Sequence, residues 1–211
     1  MSAPLWIPCW PMSSFYERRG KRWFDCCAAT LGLVALIPLF IVLAIMVKVT
    51  SKGPVLYKQT RMGQQFKPFT MLKFRSMVVR QSDDVSLVTS AGDARITWVG
   101  AILRRLKLDE LPQLFNVIKG EMSLVGPRPE VKRYINHYPL DYAGILRIKP
   151  GITDNAAIAF KHEEAILADH DDVESAYIED ILPKKIKMYH EYAKNISFVG
   201  DIRLIFKTLW G

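Results

Sequence analysis

Cysteine is scarce in this sequence of 211 residues, which contains only Cys9, Cys26 and Cys27. All three lie near the N-terminus, and none has a cysteine or histidine partner at the spacing of a metal site. Cys26 and Cys27 begin an apolar run in which no base could deprotonate a thiol, so a catalytic cysteine is not expected. These features exclude a disulfide framework and a zinc site, and they are typical of a cytosolic globular part.

Nucleotide-binding and hydrolase motifs are also absent from the sequence. It has no Walker loop, no Gly-x-Gly-x-x-Gly fingerprint and no Gly-x-Ser-x-Gly elbow. No array of aromatic and basic residues of the kind that binds nucleic acid occurs, so no nucleic acid is expected as a partner. The histidines, which have the pairing of neither a metal site nor a catalytic triad, are His137, His162, His170 and His190.

Basic residues are in excess, with 29 Lys and Arg against 21 Asp and Glu, so the formal net charge is +8. This excess favours an anionic partner, which could be nucleic acid, an acidic bilayer surface or a phosphorylated substrate. Hydrophobic residues make up 50% of the chain, yet charges are frequent, which excludes both a disordered tail and a polytopic membrane bundle. The length fits one compact domain with an added membrane element.

Residues 26–47 form an apolar run that contains no charged side chain. As a helix, such a run is long enough to cross a hydrocarbon core of about 30 Å. Basic residues flank both ends of the run, which favours a cytoplasmic location for both ends. Pro38 lies near the middle, where it removes a backbone hydrogen bond and bends the helix. The pattern predicts a re-entrant helix over residues 18–50 that is broken at Pro38; the alternatives are a straight span and a signal peptide.

Residues 197–211 carry apolar side chains at helical spacing, with Arg203 and Lys207 on the opposite side. Such an amphipathic helix could lie at the lipid interface or pack on a soluble core, and the periodicity fits both. Residues 1–17 show little helical pattern and are predicted to form an N-terminal extension. Residues 51–211 are predicted to form the catalytic domain.

Short elements of both kinds are predicted within residues 51–211. They are strands at 55–58 and 69–74 around a turn at 61–64, helices at 96–106 and 110–119, a polar loop at 82–92 and an acidic, solvated helical face at 163–180. The predicted fold class is α+β and mostly helical. It combines a re-entrant membrane helix with a small cytosolic α/β catalytic domain and interfacial amphipathic helices.

Two adjacent carboxylates, Asp109 and Glu110, form the most informative feature of the sequence. Asp109 lies where the N-cap of the second predicted helix would be, and Pro112 fits the first turn of that helix. The helix N-terminus and the nearby Arg104 and Lys107 should keep an aspartate ionised and attract phosphate. Two neighbouring carboxylates can also bind Mg²⁺. The alternative is ordinary helix capping by acidic residues.

Arg128 lies between Pro127 and Pro129, which restrict the local backbone. A guanidinium held in this way can bind two phosphate oxygens, although a simple turn with a surface arginine has the same sequence. Further candidates for phosphate binding, each of which could equally be a solvated charge, are Lys73, Arg75, Arg104 and Arg147.

Five motifs occur in order along the chain. They are Thr-Ser-Lys-Gly-Pro-Val (50–55), Lys-Phe-Arg-Ser-Met (73–77), Leu-Asp-Glu-Leu-Pro-Gln (108–113), Gly-Glu-Met-Ser-Leu-Val-Gly-Pro-Arg-Pro (120–129) and Lys-Pro-Gly-Ile-Thr (149–153). Together they resemble the bacterial sugar transferase family, the monotopic phosphoglycosyl transferases. The resemblance covers about residues 18–211, and the chain is similar to the minimal form of the family.

The resemblance implies an enzyme at the cytoplasmic face of the bacterial inner membrane that requires Mg²⁺ and uses a UDP-sugar and a polyprenol phosphate. The family's nucleophilic aspartate corresponds to Asp109, which would take up the sugar phosphate, expel UMP and pass the group to the lipid in the first step of glycoconjugate synthesis. The family's glutamate corresponds to Glu110, with roles at the metal and in proton handling, so Asp109 and Glu110 are the expected metal ligands. The arginine of Pro-Arg-Pro corresponds to Arg128, which would hold phosphate.

The chain departs from the family pattern at two places. Many relatives have Ser-Pro at the helix break where this chain has Ile37-Pro38, and relatives often have Gly and an aromatic residue where it has Asp154 and Asn155. These differences bear on the re-entrant geometry and on the donor sugar. Competing interpretations are a cationic membrane-anchored binding protein without catalysis and a glycosyltransferase that releases UDP. The sequence identifies neither the sugar nor the polyprenol. It also does not decide whether the chain forms a homo-oligomer.

Overall fold

A computed structural model describes residues 15–78, 93–161, 163–168, 170 and 172–210 of the chain. Most of the predicted N-terminal extension, with Cys9, lies outside the described residues. The same holds for the polar loop predicted at 82–92 and for His162.

The described chain begins with two helices that meet at a sharp bend. A π-helical turn at Tyr16–Gly20 continues into α1 (Lys21–Ala35), and α2 (Ile37–Thr50) follows after a break at Leu36. Pro38 lies in the first turn of α2, where its missing N–H costs no hydrogen bond. The predicted bend is present, at an angle of 65°. Its predicted position and cause are corrected, because the break lies at Leu36 and Pro38 removes no hydrogen bond of the helix. No described helix alone has the length and apolarity of a membrane span, whereas this bent pair reaches them together.

One side of the bent pair packs on the rest of the chain, and the other side carries exposed apolar residues. Ala29 of α1 and Leu43 and Val47 of α2 are buried against α4, β2 and α3. The exposed apolar side chains of the two helices are Trp23, Leu31, Val34, Ile37, Ile41, Val42, Ile45 and Val49. A soluble surface rarely carries so many neighbouring apolar side chains.

The first sheet is an antiparallel hairpin of β1 (Leu56–Met62) and β2 (Pro68–Phe74), in which Leu56 pairs with Phe74. Both predicted strands are present, but the turn predicted at 61–64 is wrong, because β1 continues through Met62. The chain reverses one step later, where Gln65 and Phe66 adopt positive φ angles of 56° and 58°. Local turn propensity could not indicate this, since neither residue is typical of that conformation.

Two helices follow the hairpin. Thr97 caps α3 (Trp98–Arg105), because its side chain accepts a hydrogen bond from the Gly100 N–H at 2.9 Å. Helix α4 (Gln113–Lys119) ends at Gly120, which has a φ of 86°, as the sequence predicted. The predicted start of α4 at Glu110 is wrong, because residues 108–110 form a separate 3₁₀ turn.

The second sheet is a parallel pair that carries the Pro-Arg-Pro segment. Its strands are β3 (Ser123–Val125) and β4 (Gly151–Thr153), and Val125 pairs with Thr153. A Cβ atom on Gly151 would lie 2.1 Å from the Gly126 nitrogen, so the close approach of the two backbones requires glycine. The connection between β3 and β4 contains α5 (Lys132–Ile135) and α6 (Pro139–Ile145).

The C-terminal part is helical and supplies the largest buried cluster. Its helices are α7 (Asn155–Ala159), α8 (Glu163–Ala168), α9 (Val173–Ala176), α10 (Leu182–Lys194) and α11 (Phe198–Trp210), with a π-helical turn at Tyr177–Ile181 before α10. Helix α10 packs on α6 and α7 and buries Tyr142, Ile145 and Tyr189. Helix α11 buries Asp201 but leaves Phe206, Leu209 and Trp210 exposed, so its apolar face is only partly covered. The fold is α+β and mostly helical, as predicted.

Candidate active site

The carboxylate pair lies in the 3₁₀ turn Leu108–Glu110 between α3 and α4. Lys107 precedes it in the left-handed conformation, with a φ of 54°, and this turns the chain away from the axis of α3. Asp109 is not the N-cap of α4, as the sequence predicted, because the cap position is taken by Pro112. Asp109 is only 7% exposed although it forms no cap, so its burial has another cause than helix capping.

Glu110 is held between two cations that come from distant parts of the chain. Its Oε1 atom accepts hydrogen bonds from Lys73 Nζ and from Arg128 Nη2, both at 2.7 Å. Burial favours the neutral form of Glu110, but the charges and hydrogen bonds of Arg128 and Lys73 together hold its pKa well below the usual range. Glu110 is therefore an ionised anchor for both cations.

Asp109 has the opposite electrostatic character. No hydrogen bond joins its carboxylate to another described residue. Burial raises the pKa of Asp109, and the charge of Glu110 adds to this, while Lys73, Arg104 and Arg128 act against it. The expectation that the surroundings favour an ionised Asp109 is thus met only in part. Two neighbouring carboxylates whose pKa values move in opposite directions are typical of sites in which the two groups have different tasks.

Lys73 reaches the pair from the end of the hairpin strand β2. Burial lowers the pKa of Lys73, as does the charge of Arg128, while Glu110 and Asp109 act to raise it. The amide of Asn116, which is buried in α4, fixes the strand beside Lys73. Asn116 Oδ1 accepts from the Leu72 N–H at 3.1 Å, and its Nδ2 donates to the Thr70 carbonyl at 2.8 Å.

Arg128 is presented by the second sheet. The Gly126 N–H donates to the Thr153 carbonyl at 3.0 Å, and the Gly151 N–H donates to the Pro127 carbonyl at 2.9 Å. These two bonds fix the backbone immediately before Arg128. The side chain of Arg128 is 34% exposed, so it can reach Glu110 and still meet a ligand from solution.

The pair offers the oxygen ligands that Mg²⁺ prefers. Magnesium is usually bound through one or two carboxylates together with phosphate oxygens of a substrate. Among the described residues, no group of three or more His, Cys, Asp and Glu could bind a metal without a substrate. The Asp109 carboxylate accepts no hydrogen bond from a described residue, and Glu110 Oε1 is the oxygen that Lys73 and Arg128 engage. The residues present therefore fit a metal that binds together with a phosphorylated substrate.

Comparison with known proteins identifies the family of this chain. Residues 16–211 match the family model for bacterial sugar transferases. The chain belongs to the bacterial sugar transferase family.

Three relatives of this chain illustrate the range of the family. It is 39% identical to the undecaprenyl-phosphate glucose phosphotransferase of Komagataeibacter xylinus, over 94% of this chain and 36% of the relative. It is 36% identical to the UDP-N-acetylgalactosamine-undecaprenyl-phosphate N-acetylgalactosaminephosphotransferase of Aeromonas hydrophila, over 90% of this chain and 42% of the relative. It is 34% identical to the exopolysaccharide production protein ExoY of Rhizobium meliloti, over 90% of this chain and 83% of the relative. The chain spans less than half the length of the first two.

Arg75 has a different place in the structure from the one that its motif suggested. Its side chain is buried, and Nη2 donates to the Ser51 carbonyl at 2.7 Å and to Ser51 Oγ at 2.8 Å. Gly53 lies against the guanidinium with a φ of 125°, and a Cβ there would be 2.3 Å from Arg75 Nη1. Arg75 therefore secures the segment after α2, and none of its described hydrogen bonds reaches the carboxylate pair.

The two remaining candidate arginines, Arg104 and Arg147, belong to different parts of the fold. Arg104 belongs to the last turn of α3, and its charge opposes the rise that burial causes in the pKa of Asp109. Arg147 follows α6, and its carbonyl accepts from Gln64 Nε2 at 2.8 Å, at the hairpin connection. The structure thus brings Lys73, Arg104 and Arg128 toward the pair, while the described contacts of Arg147 lead elsewhere.

Sequence reasoning missed two residues that support this site. Asn116 gave no signal beyond a polar residue on the buried side of a short helix. Asp154 was noted only as a departure from the family pattern, yet it is 1% exposed and its charge acts on Arg128.

Proposed function

We propose that this chain is a phosphoglycosyl transferase that moves a sugar-1-phosphate from a UDP-sugar to a polyprenol phosphate. The observation that carries the proposal is that the two neighbouring carboxylates differ in their hydrogen bonding. Glu110 is bound by Lys73 and Arg128 at 2.7 Å, whereas the Asp109 carboxylate is hydrogen-bonded to no described residue. The names of the relatives, which include glucose and N-acetylgalactosamine phosphotransferases, support the reaction class.

In the first step, a carboxylate oxygen of Asp109 attacks the phosphorus that bears the sugar. The new O–P bond forms as the bond from this phosphorus to the bridging oxygen breaks, and the bridging oxygen leaves with UMP. Because no described residue donates a hydrogen bond to the buried Asp109, its lone pairs are available to the phosphorus. The product is a sugar phosphate held on Asp109 as an acyl phosphate.

In the second step, a phosphate oxygen of the polyprenol phosphate attacks the same phosphorus. The acyl phosphate bond breaks, the lipid diphosphate-sugar leaves and the Asp109 carboxylate is restored. One phosphoanhydride replaces another, so the reaction depends mainly on alignment and on neutralising phosphate charge. A covalent intermediate allows a water-soluble donor and an apolar acceptor to use the same site in turn.

The cations and Glu110 are proposed to hold the phosphates. Arg128, which is partly exposed, would bind the diphosphate, and Lys73 would balance charge on the other side of Glu110. Asp109 and Glu110 would hold Mg²⁺ together with the donor; when bound, the metal neutralises part of the diphosphate charge. The low pKa of Glu110 makes it a poor proton donor, so we retain its metal role and not the predicted role in proton handling.

The location that we propose is the cytoplasmic face of the bacterial inner membrane. The bent pair α1–α2 exposes a continuous apolar side, which supports a re-entrant arrangement in which both ends return to the cytoplasm. Helix α11, with Phe206, Leu209 and Trp210 exposed, would lie along the interface. Such a placement would bring the site to the depth at which a lipid phosphate is found.

A nucleotide-release assay tests the proposed reaction. The purified protein is incubated with Mg²⁺, undecaprenyl phosphate and either UDP-glucose or UDP-N-acetylgalactosamine, the sugars named in its relatives, and then with a wider panel of UDP-sugars. UMP is the expected nucleotide. Release of UDP would indicate sugar transfer without phosphate, and no release by folded protein across the panel would favour a non-catalytic binding protein.

A trapping experiment tests the intermediate. Without acceptor, intact-protein mass spectrometry should detect one added sugar phosphate, and peptide mapping should place it on Asp109. The exposed helix-cap variant Asp172→Asn is the control and should be modified like the wild type. A sugar phosphate found on another residue would contradict the mechanism.

A further inference from the structure

The carboxyl ends of β3 and β4 bring a second carboxylate to Arg128. Carboxyl ends of parallel strands meet at one edge of a sheet, and Asp154 follows β4 directly, while Arg128 follows β3 after a short turn. The bonds Gly126 N–H to Thr153 and Gly151 N–H to Pro127 tie together the two backbones that lead to these side chains. Glu110 is the main cause that raises the pKa of Arg128, and the charge of Asp154 adds to it.

Asp154 has one carboxylate oxygen that helix capping does not use. Its Oδ1 accepts a hydrogen bond from the Ala157 N–H at 2.8 Å and caps α7. Its Oδ2 is buried and has no hydrogen-bond partner among the described residues. Burial raises the pKa of Asp154, while the charges of Arg128 and of the buried Lys185 act against this rise. Capping therefore uses one carboxylate oxygen of Asp154, and the other oxygen is left without a hydrogen bond among the described residues.

The surroundings of Asp154 keep its charge poorly screened. Tyr142 and Tyr189, from α6 and α10, are almost completely buried, and their phenol oxygens have no hydrogen-bond partner among the described residues. Burial raises the pKa of both phenols, with Asp154 as a further cause, so they stay neutral. In so dry an environment a carboxylate acts on a neighbouring guanidinium more strongly than it would at the surface.

We propose that Asp154 is a positioning residue for Arg128, whose guanidinium is bound by Glu110 and lies near a second carboxylate at the carboxyl end of the paired strand. Glu110 alone would draw the guanidinium onto the catalytic pair. A second anion at the adjoining strand end opposes that attraction, so the remaining N–H groups of Arg128 stay available to the diphosphate of the donor. The inference rests on the proposed function, because it assigns to Arg128 the phosphate-binding role.

Equilibrium binding of UDP in the presence of Mg²⁺ tests this role without requiring turnover or knowledge of the sugar. Asp154→Asn keeps an oxygen that can cap α7 and removes the charge. We expect it to raise the Kd for UDP by up to about tenfold, because Asp154 acts on Arg128 through its charge and not through an ion pair among the described contacts. Asp154→Ser, which also keeps a cap acceptor, should behave in the same way. Thermal unfolding of both variants should stay close to that of the wild type.

A double-mutant cycle separates positioning from a purely structural effect. If Asp154 acts through Arg128, Asp154→Asn should cause no further loss of UDP binding in an Arg128→Ala background. Asp172→Asn, which changes an exposed helix cap in α9, should bind UDP like the wild type.

The outcomes distinguish this inference from the proposed function. Additive effects in the cycle, or unchanged UDP binding by Asp154→Asn and Asp154→Ser while Arg128→Ala is weakened, would overturn the role of Asp154 alone. A wild-type protein that does not bind UDP, or an Arg128→Ala variant that binds it normally, would overturn the phosphate-binding role of Arg128 and with it this inference. The proposed function is overturned separately, by the absence of UMP release from any UDP-sugar in the nucleotide-release assay.

Discussion

Two buried carboxylate sites in this chain differ in how completely their oxygens are hydrogen-bonded. Asp201 of α11 is 0% exposed and accepts hydrogen bonds from Tyr16 Oη at 2.7 Å, from Tyr192 Oη at 2.8 Å and from Lys21 Nζ. Asp109 is buried almost as deeply, yet no described residue donates a hydrogen bond to it. Within the described residues, the oxygens of Asp201 are hydrogen-bonded by the protein, whereas those of Asp109 are not.

This difference indicates what each site is for. A buried carboxylate with several donors holds its neighbours in place, and here it joins α11 and α10 to the helix that precedes the bend. A carboxylate that is only 7% exposed and accepts no hydrogen bond from the described residues is left for water or a ligand, which is typical of groups that react or bind a ligand. Three substitutions and one pH series can sharpen or break this comparison.

The largest effect is expected for Asp109→Asn. The amide cannot form the acyl phosphate, so UMP release should fall by a factor on the order of 10⁴ or more, as for the loss of other enzymatic nucleophiles. Because the change removes a buried charge beside Glu110, the free energy of unfolding should stay the same or rise by about 1 kcal/mol. UMP release and thermal unfolding of the purified variant measure the two quantities.

The direction of the stability change is the informative part. A loss of stability in Asp109→Asn similar to that of an Asp201 variant would show that Asp109 has structural partners, and the contrast between the two sites would then be wrong. Retained UMP release would remove Asp109 from the reaction altogether.

Glu110→Gln is expected to have the next largest effect. The substitution leaves Lys73 and Arg128 without their shared anion, so the two cations repel each other and lose their fixed positions. UMP release should fall about 10³-fold, the size seen when a preorganised charge-stabilising group is lost. Unlike Asp109→Asn, this variant should also lose stability, because it breaks buried ion pairs. Glu179→Gln, an exposed change in the C-terminal part, is the matched control for both measurements.

The sequence predicted the features of the site that depend on neighbouring residues. The presence of a bend near Pro38 and the end of α4 at Gly120 were predicted, since both residues act on the local backbone. The α+β, mostly helical class and the family were also predicted correctly. The N-cap role of Asp109 was wrong, because the turn depends on the left-handed Lys107, a conformation that a lysine rarely adopts.

Features that depend on distant contacts could not be predicted. Lys73 and Glu110 are 37 residues apart, and Lys21 and Asp201 are 180 apart, so no local spacing indicates either pair. Lys73 and Arg75 belong to one motif, yet only Lys73 turns toward the pair. The parallel pair β3–β4 was also missed, since strands of three residues show no alternation from which to predict them.

Asp201→Ala tests the structural role of the hydrogen-bonded carboxylate in α11. The change leaves Lys21, Tyr16 and Tyr192 without their common acceptor, and we expect the free energy of unfolding to fall by about 3 kcal/mol. UMP release per folded molecule should stay close to that of the wild type, because Asp201 has no described contact with the carboxylate pair. Chemical denaturation in detergent measures the stability. Asp180→Ala, an exposed change, should alter it by less than about 0.5 kcal/mol.

An Asp201→Ala variant that keeps its stability but loses activity would reverse the comparison. In that case the hydrogen bonds of Asp201 would affect the reaction at a distance. The Asp201 site could then no longer be regarded as purely structural.

The smallest expected effect is the pH dependence of the stability that Glu110 contributes. Because the pKa of Glu110 is held well below its usual range, its ionised form stabilises the folded chain at every pH above the unfolded glutamate pKa of about 4.3. This contribution is lost as the pH falls below that value toward the folded pKa. The measurement is made in an Asp109→Asn background, which removes the coupled neighbour. There, the stability difference between the chain with Glu110 and the chain with Glu110→Gln should be constant from about pH 8 to 6 and shrink below about pH 5. A difference that grows as the pH falls would mean that Glu110 is neutral in the folded chain, and Lys73 and Arg128 would then need another anion.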